Sequence, residues 1–477
     1  MFELLDKQTR LTGNQRKIVA AAILGDMLEF FDYFLIGFVL AFVIGPWGLT
    51  FGQSAIILLS SGIGAMMGAA FWGWLADRVG RRVVFIGTIL NFSIATGILG
   101  LTPDHGWIFL TIFRFFVGFG VGGLYSVDLP LVQEFMPASK RGFIGGLVTA
   151  FIPVGTMMGA IMSGYMTPLV GWRGLFVLGL VPALLTLLVR AWVPESPRWL
   201  MRMGRTAEAR ASLAWALEVA PSTLPEATAS ERASVNRPWR DLFQYPRSLA
   251  VSWLGNLGAQ TGVYGLTLWV PTLFVLLLKV TPAQASALII PMTVAGLLGR
   301  LSFAGLSDLI GRRASGGLLG FGAAALIFAA GLSYNDFVEL PLLGHTSVLW
   351  MLLIAAYFFA DGGFAIVGPY AAEVWPASLR TSGMGSAYGF GGLGKIIGPL
   401  GLALIVGSNN VIKPDVSLEG VIPAFTYLAA WFAMAGCVYL FFGIETRGRS
   451  LEELDRDLDA RPVRASLPPA EKEFEPR

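Results

Sequence analysis

The sequence predicts an all-α membrane protein: twelve transmembrane helices in two pseudo-symmetric six-helix bundles. Three observations predict it. Of 477 residues, 55% are hydrophobic and only 14% charged, against roughly 25% charged in a soluble domain. The apolar residues gather into twelve runs of about twenty, each long enough to cross a ~30 Å hydrocarbon core as a helix. The chain also repeats itself. LADRVGRR at 75–82 returns as LSDLIGRR at 306–313, and EFMPASKRG from Glu134 returns as EVWPASLRT from Glu373. Two similar apolar halves are the pattern of a secondary transporter that rocks its halves about a central site.

Taken in order, the runs are 18–44, 53–76, 83–101, 107–131, 142–168, 172–193, 247–278, 283–307, 314–333, 347–372, 381–407 and 421–443. Residues 1–193 form the first bundle and 247–443 the second. Residues 194–246 form a cytoplasmic linker with a helix expected near 205–219, and 444–477 a charged cytoplasmic tail. The 59 glycines lie mostly inside the runs, where small residues let helices approach closely. Short alternating segments, the signature of a membrane β-barrel, are not the pattern here. The first run is too long for a signal-peptide core and holds acids, so it reads as a retained helix.

The net charge of +3 conceals an asymmetry. With both ends cytoplasmic, three of the 34 Lys and Arg lie outside (Arg173, Lys279, Lys413) and three deep within spans (Arg114, Arg300, Lys395), while Arg190 and Arg247 sit at the inner ends of their runs. The other 28 face the cytoplasm, as the positive-inside rule requires of a plasma (inner) membrane protein with both termini inside. Basic residues spread over several loops give no support to a nucleic-acid partner. Cys437 is the sole cysteine, so an internal disulfide or a cysteine-based metal site is excluded. His105 and His345 fall in expected outer loops. No nucleophile–base set is present, so the chain reads as a transporter rather than an enzyme, with no metal and no cofactor. GFGGLGK at 389–395 fits G-x-G-x-x-G, but it lies inside an apolar helix rather than between a strand and a helix, so it reads as close helix packing.

The repeated loops carry charge at matching places. Asp77 is followed by Arg78, Gly80, Arg81 and Arg82, and Asp308 by Arg312 and Arg313. Gly80 permits a tight turn. Glu134 and Arg141, with Glu373 and Arg380, supply complementary partners for a cytoplasmic gate. Exposed pairs are individually weak, so such a gate needs a network. LADRVGRR and its copy closely resemble the signature loop of the major facilitator superfamily. RFFVGFGVGG with EFMPASKRG, and PESPRWLMRMGR after the sixth run, resemble its sugar-porter and organic-acid branches. The resemblance spans almost the whole chain to about residue 451 and implies gating by these loops.

Ionisable residues inside a membrane are costly and usually functional. The first run holds Asp26, Glu29 and Asp32, spaced by three and so confined to an arc of about 120°. At the matching places in the seventh run stand Asn256, Ala259 and Gly262, so the scaffold itself does not demand acids there. Asp32 lies about 21 Å from the inner edge, and Arg114 about 10 Å from the outer edge, so they meet in a ~30 Å core. Competition between a proton and Arg114 for Asp32 is a workable coupling device. In sugar porters a span-1 Asp and a span-4 Arg play this part, and FFD and RFFVGFGVG match those places. In the second half, Arg300 and Asp361 share a depth of about 10–12 Å and can pair. That leaves Lys395, near the level of Asp32, to receive an anion such as a carboxylate.

Sugar porters typically carry paired glutamines and an asparagine in span 7. GAQTGVYGLTLWVPTL has Gln260 without the pair and looks more like the organic-acid branch, which includes aromatic-acid:proton symporters. Those carry acid-x-x-Asp in span 1, usually with Gly after the first acid; Glu29-Phe-Phe-Asp32 keeps the acids and replaces the Gly. Phe30, Phe31, Tyr33, Tyr264, Trp269 and Tyr388 stand where they can flank a planar ligand. The resulting expectation is a proton-coupled symporter of a small organic acid, functional as a monomer in the lipid bilayer, with Gln260 and Tyr264 beside Lys395, Arg300 and Asp361. A sugar or polyol symporter is the alternative. A channel is opposed by the dense intramembrane charge, and a flux assay in liposomes separates both from a non-transporting sensor.

Overall fold

In the computed structural model the described residues are 2–137, 140–180, 192–225, 239–341, 344–376, 379–407, 418–447 and 454. The first expected span is helix α2, Gly13–Val43, preceded by a short α1, Glu3–Asp6. α2 starts five residues before the apolar run because Thr12 and Gln15 form a capping box that satisfies the first free N–H groups. Next come α3 (Phe51–Val79), α4 (Arg81–Leu99) and α5 (Trp107–Glu134). The fifth expected span is divided into α6 (Arg141–Ala150) and α7 (Ile152–Ile161), with Pro153 in the first turn of α7, followed by a π-helical turn at Met162–Met166. α8 (Thr167–Leu178) follows, with Gly171 at positive φ. Most of the sixth expected span lies outside the described residues.

In the linker, α9 (Pro197–Arg202) and α10 (Thr206–Leu217) pack with α1 through Phe2, Leu5, Trp199, Leu200 and Leu213. The second half opens with α11 (Pro246–Leu278), α12 (Pro282–Ile310) and α13 (Arg312–Leu332). The tenth expected span is α14 (Val348–Gly362) and α15 (Phe364–Glu373); the eleventh is α16 (Arg380–Gly391) and α17 (Gly394–Val406). α18, Val421–Cys437, is the twelfth. By length and composition nine described segments can cross a membrane. α2 is long enough but carries three acids. Before α14 an unexpected antiparallel hairpin, β1 (Phe337–Leu340) with β2 (Gly344–Ser347), replaces part of an expected outer loop. There His345 stacks on Phe337 at 4.6 Å and pairs with Glu339 at 2.9 Å.

Helices touch through small residues. A Cβ at Gly68 would stand 1.9 Å from the Phe119 carbonyl, and one at Gly122 1.9 Å from that of Ala65, so α3 and α5 meet backbone to backbone. The GFGGLGK stretch is such a surface: a Cβ at Gly394 would come within 2.5 Å of the Thr261 backbone nitrogen on α11, and one at Gly391 within 2.9 Å of Asn256. Contacts between the halves join α2 with α11, α3 with α17, and α7 with α12. At Gly37 a Cβ would reach within 2.8 Å of the Leu268 carbonyl, and Phe51 stacks on Trp269 at 5.7 Å.

Candidate functional site

The two repeated loops fold alike. α3 ends and α4 begins at Gly80, φ +110°; α12 ends and α13 begins at Gly311, φ +91°. Only glycine takes these angles without strain. Each new helix start is held by an acid from a later segment. Glu195 Oε1 accepts from the backbone N–H groups of Arg81 (3.0 Å) and Arg82 (3.2 Å). Glu445 accepts from those of Arg312 (3.0 Å) and Arg313 (3.4 Å). A carboxylate at a helix N-terminus satisfies orphan donors and meets the positive end of the dipole. Arg81 pairs with Glu134 (3.1 Å) and Asp77 (3.7 Å), and Arg312 with Glu373 (3.4 Å) and Asp308 (2.8 Å). Ser196 donates to Glu134, and Thr446 to Glu373.

These ion pairs join elements of one half. Glu134 and Glu373, expected as partners of the repeated loops, bind Arg81 and Arg312, because the helix ends they terminate lie beside the preceding loop of their own half. The Arg141 side chain lies outside the described residues. Arg78 lies over the Trp74 ring at 4.1 Å, one turn back on α3. Arg313 donates to the Leu440 carbonyl.

In the membrane centre the halves differ. Asp32 is fully buried, and Thr96 of α4 donates to its carboxylate at 2.6 Å. Arg114 of α5 is also fully buried, but its hydrogen bonds go to Ser61 Oγ (3.0 Å) and to the backbone carbonyls of Asp32 (3.1 Å) and Tyr33 (2.7 Å). Asp32 and Arg114 therefore share one turn of α2 and act on one another through charge, while the carboxylate's hydrogen bond comes from Thr96.

Between the halves stands Lys395, at the start of α17. Its Nζ lies 5.4 Å from the ring centre of Tyr33 and 5.0 Å from that of Tyr264, an aromatic setting that favours a cation. Tyr33 and Tyr264 meet edge to face at 5.4 Å, and Phe34 stacks on Tyr264 at 5.5 Å. The acid whose charge acts on Lys395 is Glu29, one turn before Tyr33. The sequence showed no counter-charge for this lysine; in the fold, Glu29 of the other half acts on it by charge. Nearby, Arg300 holds Asp361 in a two-pronged pair at 3.0 and 2.8 Å and donates to the Thr149 carbonyl across the halves. Tyr388 lies within electrostatic reach of Arg300 and Asp26. Gln260 contacts Asn256 on its own helix at 3.4 Å and packs against Gly391, one turn before Tyr264.

Sequence reasoning missed Thr96, Thr149, Glu195 and Glu445. The last two had a signal: an acid followed by a hydroxyl residue, Glu195-Ser196 and Glu445-Thr446, closes the sixth and the twelfth run. A second unread repeat is Thr50-x-x-Gln53 and Thr281-x-x-Gln284, capping boxes that start α3 and α12.

Residues 18–458 match the family of sugar (and other) transporters. The chain belongs to that family and is a membrane transporter, not an enzyme. It is 31% identical to the niacin transporter NiaP of Acinetobacter baylyi, over 90% of this chain and 94% of that one. The cis,cis-muconate transport protein of the same organism is 25% identical over 88% and 96%. The proton:xylose symporter XylE bound to 6-bromo-6-deoxy-D-glucose, a major facilitator superfamily structure, superposes with a TM-score of 0.71 at 21% identity, covering 94% of this chain and all of that one. The fold is thus that of the major facilitator superfamily.

Proposed function

We propose that the protein is a proton-coupled symporter of a small organic acid. It would work by alternating access between two six-helix bundles, residues 1–193 and 247–443, joined by the linker 194–246 and followed by the tail 444–477. It would act as a monomer in the plasma membrane, with twelve spans and both termini cytoplasmic, the orientation the positive charges favour. The observation that carries the substrate class is Lys395. A lysine 9% exposed, between the halves and walled by Tyr33 and Tyr264, suits a planar carboxylate better than a neutral sugar. The relatives named for niacin and cis,cis-muconate, both organic acids, support it.

Asp32, with Thr96 and Arg114, is the proton-responsive group of the first half, and Asp26 and Glu29 share its helix. The Arg300–Asp361 pair, bound also to Thr149, joins the second half to the first beside the substrate. The loops around Gly80 and Gly311 gate the cytoplasmic side, with Asp77, Arg81, Arg82, Asp308, Arg312 and their acids as the charged clamp. The test is binding by calorimetry or thermal shift, with niacin, muconate, nicotinamide and xylose as probes. The acids are expected to bind and xylose is not. Xylose binding without binding of either acid would replace this reading with the sugar symporter.

A further inference from the structure

Lys395 does not wait alone for an anion. Glu29 and Tyr33 lie at i and i+4 on α2 and therefore share a face, and the Tyr33 ring lies against Lys395. Glu29 is fully buried, Tyr33 and Tyr264 nearly so. Two buried hydroxyls make no hydrogen bond among the described residues: Tyr33 Oη, on the ring that lies against Lys395, and Thr261 Oγ1, against Gly394, the residue before the lysine. They are donors ready for an acceptor that arrives from outside.

The charges around Glu29 can be counted by element. Its own helix adds Asp26 and Asp32; α5 brings Arg114, and α17 brings Lys395. α11 contributes Tyr264 and α16 Tyr388, while α12 and α14 bring the Arg300–Asp361 pair. Among the described residues, the buried charged side chains are four acids (Asp26, Glu29, Asp32, Asp361) and three bases (Arg114, Arg300, Lys395). A carboxylate ligand therefore enters a region already short of positive charge. An uncompensated charge in a low-dielectric interior is strongly disfavoured, so the added anion requires either a cation or a proton with it.

We infer that Glu29 is the resident counter-anion of Lys395, that the substrate carboxylate takes its place, and that Glu29 takes up one proton in the exchange. This rests on the organic-acid reading above. The exchange balances: the ammonium passes from the Glu29 carboxylate to the substrate carboxylate, and an O–H bond forms at Glu29 with a proton from solvent. One anion and one proton enter together, and the site's charge is unchanged. Tyr33 Oη and Thr261 Oγ1 donate to the incoming ligand. Proton coupling is then divided along α2. Glu29, facing the other half, links the proton to binding; Asp32, enclosed by Thr96 and Arg114 of its own half, acts on the conformational step.

The test is calorimetric titration of the intact protein with niacin in buffers of different ionisation enthalpy, across a pH range where niacin stays ionised. The wild type is expected to take up about one proton per niacin, so its affinity falls about tenfold per pH unit above the titration of Glu29. Glu29→Gln should bind niacin with no proton uptake and no such pH slope, Glu29→Asp should restore both, and Asp32→Asn and Asp26→Asn should keep both. Nicotinamide, uncharged, should bind without proton uptake if it binds. Wild-type binding of niacin with no proton uptake overturns the inference, as does uptake that survives Glu29→Gln or vanishes in Asp32→Asn. If neither niacin nor muconate binds the wild type at all, the organic-acid reading has failed first and the inference falls with it.

Discussion

The loop corners and the buried centre of this protein treat its duplication in opposite ways. At the corners the two halves use the same parts: a glycine at positive φ, Arg81 or Arg312 on Glu134 or Glu373, and a capping acid, Glu195 or Glu445. At the centre the parts diverge. α2 carries three buried acids where α11 has Asn256, Ala259 and Gly262, and Lys395 and the Arg300–Asp361 pair belong to the second half alone. On the proposed function, the corners serve an operation that both halves perform, whereas the centre binds an asymmetric ligand and a proton, so its two sides differ in charge. A Cβ at Gly262 would lie 2.3 Å from the Phe432 ring; that place in the second half is filled by packing and has no room for an acid.

Five substitutions can break or sharpen this contrast. The largest effect is expected at Asp32→Asn, which mimics the protonated acid: uphill uptake driven by a pH gradient should be abolished while substrate binding persists. Accumulation by that variant, measured in proteoliposomes, would move the conformational role to Asp26. Next, Lys395→Gln should weaken niacin binding on the order of a hundredfold, as expected when one partner of a buried charge contact is removed. The loss for nicotinamide should be much smaller, and equal losses would make the lysine structural. At the corners, Glu195→Gln and Glu445→Gln each remove a helix-capping charge and should cost about 1–2 kcal/mol, read as similar falls in thermal-denaturation midpoint. A fall in only one variant would end the equivalence of the two corners. The smallest effect is expected at Asp77→Asn. Its side chain is 61% exposed and its pairs with Arg81 and Arg202 are long, 3.7 and 3.9 Å, so exchange should slow no more than about fivefold with binding intact. A collapse of affinity would show that this loop does not act on conformation alone.

The sequence by itself determined the membrane character, the repeats, the turns at Gly80 and Gly311, and which residues are costly to bury. Each of these depends on composition, spacing or the conformational freedom of a single residue, and such properties are local. Arg300 and Asp361 could be brought to one level because helix rise converts residue number into depth. Depth, however, leaves the angle around the helix open. It placed Asp32 and Arg114 at one level but did not say that Arg114 would bond the carbonyls of Asp32 and Tyr33 while Thr96 took the carboxylate. Nor could it say that Glu29, three residues earlier, acts by its charge on Lys395 of the other half. The partners of Lys395 and the capping acids Glu195 and Glu445 come from segments distant in the chain. They were decided only when backbone contacts such as Gly62 against Lys395 and Gly37 against Leu268 fixed the rotation of each helix, since a partner is chosen by rotation and packing as well as by height in the membrane.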